Sequence, residues 1–317
     1  VTVIILAAGK GKRMNKSIPK VMSPLLGRPM ISHILGTAQR FSPEHILIVV
    51  SSTGHEKIHQ ELGDEGITYI VQPEALGTAD AVRRCRDSVT TRRIMVLCGD
   101  VPLIRSETLS DMIALHQSSG AAATLLSTEV FDPSGYGRIV RNGDGTVRKI
   151  VEDKDASSDE RKIREINSGS YIFESNLLFD LLERVEPSPA TGEYYLTDVV
   201  AMIVEGGMRV EALKIDDNSE LMGVNDSAAL KRVEDIFRRR LLSGWRHAGV
   251  SIEHPRMIVA DSEVELAAGA HVSGRAILRG ATRIGPGSHV GPSVALEDTV
   301  VEGNSCIKGS RSKSSSS

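Results

Sequence analysis

Up to about residue 225 the chain alternates two hydrophobic patterns. Short continuous apolar runs lie at 1–6, 46–50, 68–71, 94–98, 121–127, 170–173 and 210–213. Between them come segments with apolar residues every three or four positions, such as Met30, Ile34, Leu35 and Ala38. A continuous run fits a strand covered on both faces, and the wider spacing fits a helix with one buried side. The pattern predicts strands at those runs and helices at 29–40, 55–62, from Thr78 onward, at 107–117, at 177–185 and up to Val204. The fold class is α/β, with a mixed, mostly parallel sheet and ligand sites at the carboxyl ends of its strands. Asn142-Gly143-Asp144-Gly145 predicts a hairpin turn.

The pattern changes after residue 250. Leu266, Val272, Leu278, Ile284, Val290 and Leu296 recur at every sixth position, with glycines and small residues between them. Such hexads stack one apolar side chain on the next and predict a short parallel β-helix. The expected organisation is a first domain over 1–225, a linking helix over 226–250, a hexapeptide-repeat β-helix over 251–308 and a Ser-rich disordered tail over 309–317.

Composition narrows the class. The 317 residues are 40% hydrophobic and 25% charged, the balance of a soluble two-domain protein. A net charge of −3 and only 3% aromatics argue against nucleic acid as a partner. The three cysteines, Cys85, Cys98 and Cys306, have no C-x-x-C spacing, which suggests neither a zinc knuckle nor a disulfide framework. No apolar stretch is long enough to cross a bilayer, and the first run is too short for a signal peptide. A cytoplasmic protein without a membrane partner is expected.

The candidate chemistry sits at strand ends. After the first run comes Ala7-Ala8-Gly9-Lys10-Gly11-Lys12-Arg13-Met14, with Pro19-Lys20 beyond it. Glycines that bring backbone N–H groups close, surrounded by Lys10, Lys12, Arg13 and Lys20, suit a polyphosphate. Gln72, Gly77 and Thr78 follow the third strand. The amide of Gln72 can read the edge of a base, or the segment is only a turn with Thr78 as a helix cap. Asp100 follows the strand at 94–98. It is either a Mg²⁺ ligand or a carboxylate capping the next turn, and the Gly99 beside it favours metal. Asn225 offers a second oxygen ligand or a turn residue. Gly137, Glu152 and Asn167 lie near strand ends and can hold sugar hydroxyls, although Glu152 between Val151 and Asp153-Lys154 also reads as a surface charge.

Taken together these motifs resemble the bacterial N-acetylglucosamine-1-phosphate uridylyltransferases, whose full-length forms are bifunctional and carry a glucosamine-1-phosphate acetyltransferase on the β-helix. The resemblance covers Val1 to about Ile307. It rests on 6–14 with Pro19-Lys20, Gln72 with Gly77-Thr78-Ala79, Gly99-Asp100-Val101-Pro102-Leu103, Tyr136-Gly137-Arg138, Ile150-Val151-Glu152, Glu165-Ile166-Asn167-Ser168-Gly169, Glu193-Tyr194-Tyr195-Leu196-Thr197-Asp198 and Gly223-Val224-Asn225, in this order and followed by hexads. It implies a Rossmann-like nucleotidyltransferase domain followed by a left-handed parallel β-helix. Leu6, Ala7, Gly9, Lys20, Gln72, Gly77 and Thr78 would hold the nucleotide, with Arg13 and Lys20 meeting its phosphates as the catalytic cations. Gly137, Glu152, Asn167, Tyr195 and Thr197 would line an acetylated-sugar pocket. Asp100 and Asn225 would hold Mg²⁺. Cys98 stands where the family usually has Tyr, which bears on a nucleotide contact.

The implied reaction is uridylyl transfer from UTP to N-acetylglucosamine 1-phosphate, a step in UDP-N-acetylglucosamine and cell-wall biosynthesis. The sugar phosphate oxygen attacks the α-phosphorus in line and pyrophosphate leaves. A homotrimer through the β-helix is implied as well. The family's acetyl-transfer residues lie further along the β-helix, so no acetyltransferase activity is expected of these 317 residues. The rivals are a pyrophosphorylase using glucose 1-phosphate or a different nucleotide, as in a glucose-1-phosphate uridylyl- or thymidylyltransferase, and a non-catalytic sugar-nucleotide scaffold. A third, acyl transfer on the β-helix, would have to use His271 and His289, which read as surface or inter-rung residues.

Overall fold

The computed structural model describes residues 1–9 and 18–309. Arg13, with Lys10 and Lys12, lies outside them, as does the expected tail from residue 310. The chain divides into two units: Val1–Ser23 with Met30–Ala229, and Pro24–Pro29 with Leu230–Ser317. In chain order the elements are β1 (Thr2–Leu6), β2 (Pro24–Leu25), β3 (Arg28–Pro29), α1 (Met30–Gln39), β4 (His45–Ser51), α2 (His55–Leu62), β5 (Ile67–Gln72), α3 (Thr78–Arg83), β6 (Arg93–Cys98), α4 (Ser106–Ser119), β7 (Ala123–Glu129), β8 (Arg138–Arg141), β9 (Val147–Val151), β10 (Glu165–Glu174), α5 (Ser175–Leu182), α6 (Thr197–Glu205), β11 (Val210–Ile215) and α7 (Ser227–His247). The short strands of the repeat follow.

The first unit is built on one sheet in the order β11-β7-β10-β6-β1-β4-β5, with the β8–β9 hairpin attached through β10. β6, β1, β4 and β5 are parallel. β10 runs against both β6 and β7, and β11 is parallel to β7. This is the mixed, mostly parallel sheet that the continuous apolar runs predict. Successive side chains point to opposite faces, and both faces are covered. Ile4, Leu47, Val49 and Val96 pack with residues of α3, α5 and α6. Val3, Ile5, Ile48 and Leu97 pack with α1, α2 and α4. With no solvent face, polar alternation has no place in β1, β4 or β6.

One strand is longer than its sequence pattern suggests. β10 begins at Glu165, five positions before the apolar run at 170–173. Its polar start pairs with β7, and the register shifts between Asn167 and Tyr171. The charge of Glu165 is met inside the sheet: Arg141 Nε donates to it over 2.8 Å and Ser127 Oγ over 2.7 Å. A buried strand can hold a carboxylate when its partners come from neighbouring strands.

The second unit contains the repeat. Its short parallel strands form three sheets, each joining one side of successive coils. Leu266 pairs with Ile284, Val272 with Val290 and Leu278 with Leu296, so partners lie three hexads apart. Their side chains fill one core with Leu242 and Trp245 of α7, and Leu296 is only partly buried. Beyond Leu296 the ladder slips by one position, because Ile284 pairs with Val301 and Val290 with Ile307. His271 and His289 lie on successive coils with tilted rings whose centroids are 4.2 Å apart, the inter-rung one of the two roles the sequence allows.

The coils approach closely at Gly285, where an added Cβ would stand 2.5 Å from the backbone nitrogen of Gly303 on the next coil. Nothing lies within 4 Å of a Cβ at Gly143 in the β8–β9 turn. Gly285→Ala is therefore expected to destabilise the β-helix by about 1–3 kcal/mol, the range for overpacking. Gly143→Ala should change stability by less than about 0.5 kcal/mol. Calorimetric melting of the two variants checks this; equal melting would mean that the coils do not stack as described.

Candidate active site

β1 is the point where the chain reverses its direction of travel across the sheet. From β1 it moves outward to β4 and β5, then returns to β6 on the other side of β1. Such a switch leaves a crevice at the carboxyl ends of the strands. A cavity of about 650 Å³ opens there, with Leu6 ending β1 and Gly9 beyond it, Gln72 at the end of β5, and Cys98 ending β6 with Asp100 beyond it on its walls. A smaller cavity of about 190 Å³ shares Leu6, Thr78, Glu152 and Asn225 and adds Gly137, Asn167 and Thr197. Candidate residues drawn from distant parts of the chain thus come together on one cleft. Ala7 does not face it: it is 2% exposed and packs in the core, while Ala8 lines the wall. A separate cavity near Arg92, Arg93 and His116 lies at the amino ends of β1 and β6, away from the crevice.

Three polar side chains converge at one point of the cleft. The backbone N–H of Val224 donates to the Asp100 carbonyl over 2.9 Å, which fixes the Gly223–Asn225 loop beside the end of β6. The Lys20 ammonium donates to Asp100 Oδ2 and, over 2.9 Å, to Asn225 Oδ1. Two oxygens from sequence-distant loops are therefore aimed at one cation position, with the ammonium standing in for the cation. A carboxylate and an amide oxygen suit a hard divalent metal, which accepts few protein ligands and keeps waters or phosphate oxygens in its other positions. Among the described residues there is no cluster of three or more His, Cys, Asp or Glu with metal-binding geometry. The donor set fits a metal shared with a substrate better than a closed structural site.

One wall is organised for hydrogen bonding to a flat group. Gln72 is 4% exposed, and its Nε2 donates to Gly77 O over 3.0 Å and to Asp80 Oδ2 over 2.8 Å. Gly77 has φ +108, and a Cβ there would stand 2.4 Å from the Tyr194 carbonyl, so only glycine fits. Of the two sequence alternatives for this segment, Thr78 as a helix cap is not what the structure has. The helix begins at Thr78 itself after Gly77, and no side chain caps it. The Thr78 hydroxyl instead accepts from Leu196 N over 3.0 Å. Tyr194 N to Leu76 O (2.7 Å) and Ala79 N to Tyr194 O (2.9 Å) complete a seam between the Gln72–Thr78 loop and the segment before α6.

The opposite wall carries Glu152 just after β9. Thr197 at the start of α6 donates to its Oε1 over 3.0 Å. Burial pushes the Glu152 carboxyl above its ordinary range; the Thr197 bond opposes this and the nearby Asp198 and Asp155 add to it. A surface charge would not be perturbed in this way. Gly137 abuts Glu152 and Ile150, and its carbonyl accepts from Asn167 N over 2.9 Å. Asn167 sits at the β10 register shift, with Nδ2 donating to Tyr171 Oη over 2.5 Å. The Tyr195 hydroxyl pairs with Thr191 Oγ1 at 2.7 Å. Glu165, part of the same sequence motif as Asn167, is occupied by Arg141 and Ser127 and supports the sheet. Between the walls lies Cys98, whose Sγ donates to Gly169 O over 3.5 Å. Burial, with the Asp100 carboxylate nearby, pushes its thiol up to about 12, so it stays neutral and is a poor nucleophile.

Two contributors are not evident from the sequence. Asp80 looks there like an acidic residue in the first turn of a helix, where the helix dipole favours it. Its contact with Gln72 appears only once β5 and α3 are packed. The Tyr171 hydroxyl reads as part of an apolar strand, and no local signal marks its contact with Asn167.

A mixed sheet with a strand-end cleft, a two-oxygen cation position, an amide wall and a carboxylate wall defines an α/β protein with a polar strand-end site. The chain belongs to the nucleotidyl transferase family, whose sequence profile matches residues 2–250. It is similar to the bifunctional protein GlmU of Pelotomaculum thermopropionicum, 43% identical over 266 residues, covering 83% of this chain and 58% of the relative. It is also similar to the GlmU proteins of Halalkalibacterium halodurans (36% identical, 96% of this chain, 67% of the relative) and Heliobacterium modesticaldum (38% identical, 98% and 68%). The chain thus spans about three-fifths to two-thirds of the length of these relatives. A Bacillus anthracis structure assigned as a glucose-1-phosphate thymidylyltransferase in complex with sucrose shares the fold, with TM-score 0.61, 22% identity, and coverage of 74% of this chain and 95% of that one. Among the described residues no helix is long and apolar enough to cross a membrane.

The Glu152 shift has a consequence for stability. A carboxyl whose folded pKa is raised binds its proton more tightly in the folded state, so folding loses stability as pH rises from the ordinary value of 4.5 through the raised one. Glu152→Gln keeps an oxygen for the Thr197 hydroxyl and removes the buried charge. The variant should melt above the parent at neutral pH, and the gap should close as pH falls below the ordinary carboxylate range. Melting curves across pH 4–8 test the sign; a gap that widens on acidification would mean that Glu152 is not destabilised by burial.

Proposed function

We propose that this chain transfers uridylyl from UTP to N-acetylglucosamine 1-phosphate, giving UDP-N-acetylglucosamine and pyrophosphate. The observation that carries the proposal is the convergence of Lys20, Asp100 and Asn225 between the Gln72 wall and the Glu152 wall. The nucleotide would lie against Leu6, Gly9, Gln72, Gly77 and Thr78. The sugar would lie against Gly137, Glu152, Asn167, Tyr195 and Thr197, where a carboxylate and an amide offer acceptors and donors for its hydroxyls and acetamido group.

In the reaction a phosphate oxygen of the sugar phosphate forms the new bond to the α-phosphorus of UTP. The bond from that phosphorus to the bridging oxygen breaks, and the electron pair leaves with pyrophosphate. Asp100 and Asn225 would hold Mg²⁺, which when bound supplies positive charge to the phosphate oxygens. Lys20, displaced from those two ligands, would turn its ammonium to the same phosphates, and Arg13 would add a second cation. The protein's work is to hold the two phosphates in line and offset their charge.

A homotrimer formed through the β-helix is part of the same proposal. Val259, Ile277 and Ala295 pair in register, and exposed Val259 and Ala295 give this row an outward apolar face suited to further copies. Sedimentation should give about three times the chain mass, and Val259→Glu should lower it; a monomeric parent would sink the trimer.

Pyrophosphate release with UTP and N-acetylglucosamine 1-phosphate should require added Mg²⁺ and exceed that with CTP, ATP, dTTP or glucose 1-phosphate. Asp100→Ala should cut kcat by about 10²–10³, the usual loss when a transition-state charge contact is removed, with little change in melting. Release best supported by glucose 1-phosphate or dTTP would move the substrate assignment, and an Asp100→Ala variant with normal turnover at limiting Mg²⁺ would refute the metal assignment.

A further inference from the structure

From the packing of β5 against α3, we infer that Asp80 determines base selectivity as a positioning residue, by locking the amide of Gln72 in one orientation. The inference rests on the nucleotide placement proposed above. The two ends of a glutamine amide are nearly the same in shape but opposite in hydrogen-bonding character, so its orientation decides what it can recognise. Here the orientation is forced. Gln72 Nε2 faces two acceptors, Asp80 Oδ2 at 2.8 Å and Gly77 O at 3.0 Å. Neither can donate, so a flipped amide would set oxygen against oxygen at both contacts. Both N–H bonds of the amide are spent there, and Oε1 has no partner among the described residues.

Asp80 is itself held. Its side chain is 9% exposed, and Arg84, one helical turn on, donates through Nε to the same Oδ2 over 2.9 Å. Arg84 thus supplies the positive charge that an almost fully buried carboxylate needs. The relay runs from Arg84 to Asp80 to Gln72, and its end is a pure acceptor on the cleft wall. Gly77, which lines the same wall and accepts from Gln72 through its carbonyl, has an N–H without an acceptor among the described residues. An acceptor next to a donor matches the ring N–H and carbonyl of a uracil or thymine edge. Cytosine presents an unprotonated ring nitrogen at that position and would set lone pair against lone pair.

Three variants test this. Asp80→Leu removes the acceptor and frees the amide to turn. Asp80→Ser, smaller and polar, puts a hydroxyl that donates as well as accepts in place of the carboxylate, and serves where the leucine variant does not fold. Asp80→Asn keeps an oxygen that can accept from both Gln72 and Arg84. The readouts are the ratio of kcat/KM for UTP over CTP, and the ratio of UDP to CDP affinity by titration calorimetry. Asp80→Leu and Asp80→Ser should lower both ratios by about tenfold, the weight of one hydrogen bond, and Asp80→Asn should restore them. A parent that prefers UTP, with leucine and serine variants that keep its ratio or lose all nucleotides in equal proportion, would overturn the role of Asp80 alone. If the parent prefers dTTP, the substrate proposal falls while the role of Asp80 stands, because thymine presents the same edge. A parent without preference for either over CTP would overturn both.

Discussion

Strand β1 is covered on both faces and flanked on both edges, and the first unit depends on that enclosure. Ile4 packs into one core and Val3 and Ile5 into the other, each fully buried. Its backbone is paired with β4 on one side and β6 on the other. Such a strand can lie only in the middle of a sheet. With β1 central, the chain must leave on one side and return on the other, and the loops at the carboxyl ends of β1, β5 and β6 are brought around one crevice. The position of Leu6, Gln72 and Asp100 on a common cleft therefore follows from apolar burial, well before any ligand chemistry is considered.

Inside the cleft the limiting quantity is charge. A carboxylate out of water is costly unless paired or hydrogen-bonded. The protein treats Asp100, Asp80 and Glu152, on or behind the cleft walls, differently. Asp100 is met by the Lys20 ammonium. Asp80, behind the wall, is met by Arg84 and by the Gln72 amide. Among the described residues Glu152 has only a hydroxyl, from Thr197, and its carboxyl is pushed up by burial. The first arrangement can exchange one cation for another, the second is fixed, and the third leaves an under-satisfied acceptor that a hydroxyl-rich ligand can complete.

How much of this is legible in the sequence depends on the range of the interaction. Buried parallel strands leave unbroken apolar runs, and six hexads leave a period, so sheet and β-helix can be read directly. The start of β10 cannot, because Glu165 is polar and its partner Arg141 lies on another strand. The slip in the final coil is hidden for a related reason: Val301 replaces the position six after Leu296, and only coil pairing shows which residue fills the core. For the site, residues at strand ends are visible as motifs, but the contact of the Thr78 hydroxyl is not, because its partner Leu196 is 118 residues away. Asp80 is invisible on the same grounds. Local patterns carry backbone conformation; the bonds that hold Gln72 and Thr78 from behind form only when distant elements pack.

The two walls share a device that follows from this. Gln72 and Glu152 each face the cleft with one oxygen-bearing group, and each is held from behind by a residue of another element, Asp80 of α3 and Thr197 of α6. The two supports are joined, because the segment leading into α6 is pinned to the Gln72–Thr78 loop by Tyr194 and Leu196. Ordering polar side chains at the moment of binding would cost about 0.5–1.5 kcal/mol for each one immobilised. Here much of that ordering is complete in the folded chain, through bonds between elements that the sheet already holds in place. A displacement of the 193–197 segment would disturb both walls together, so the two halves of the cleft are mechanically one object. That coupling suits a reaction in which two phosphates must meet in line, since a shared frame fixes their separation more tightly than two independent pockets could.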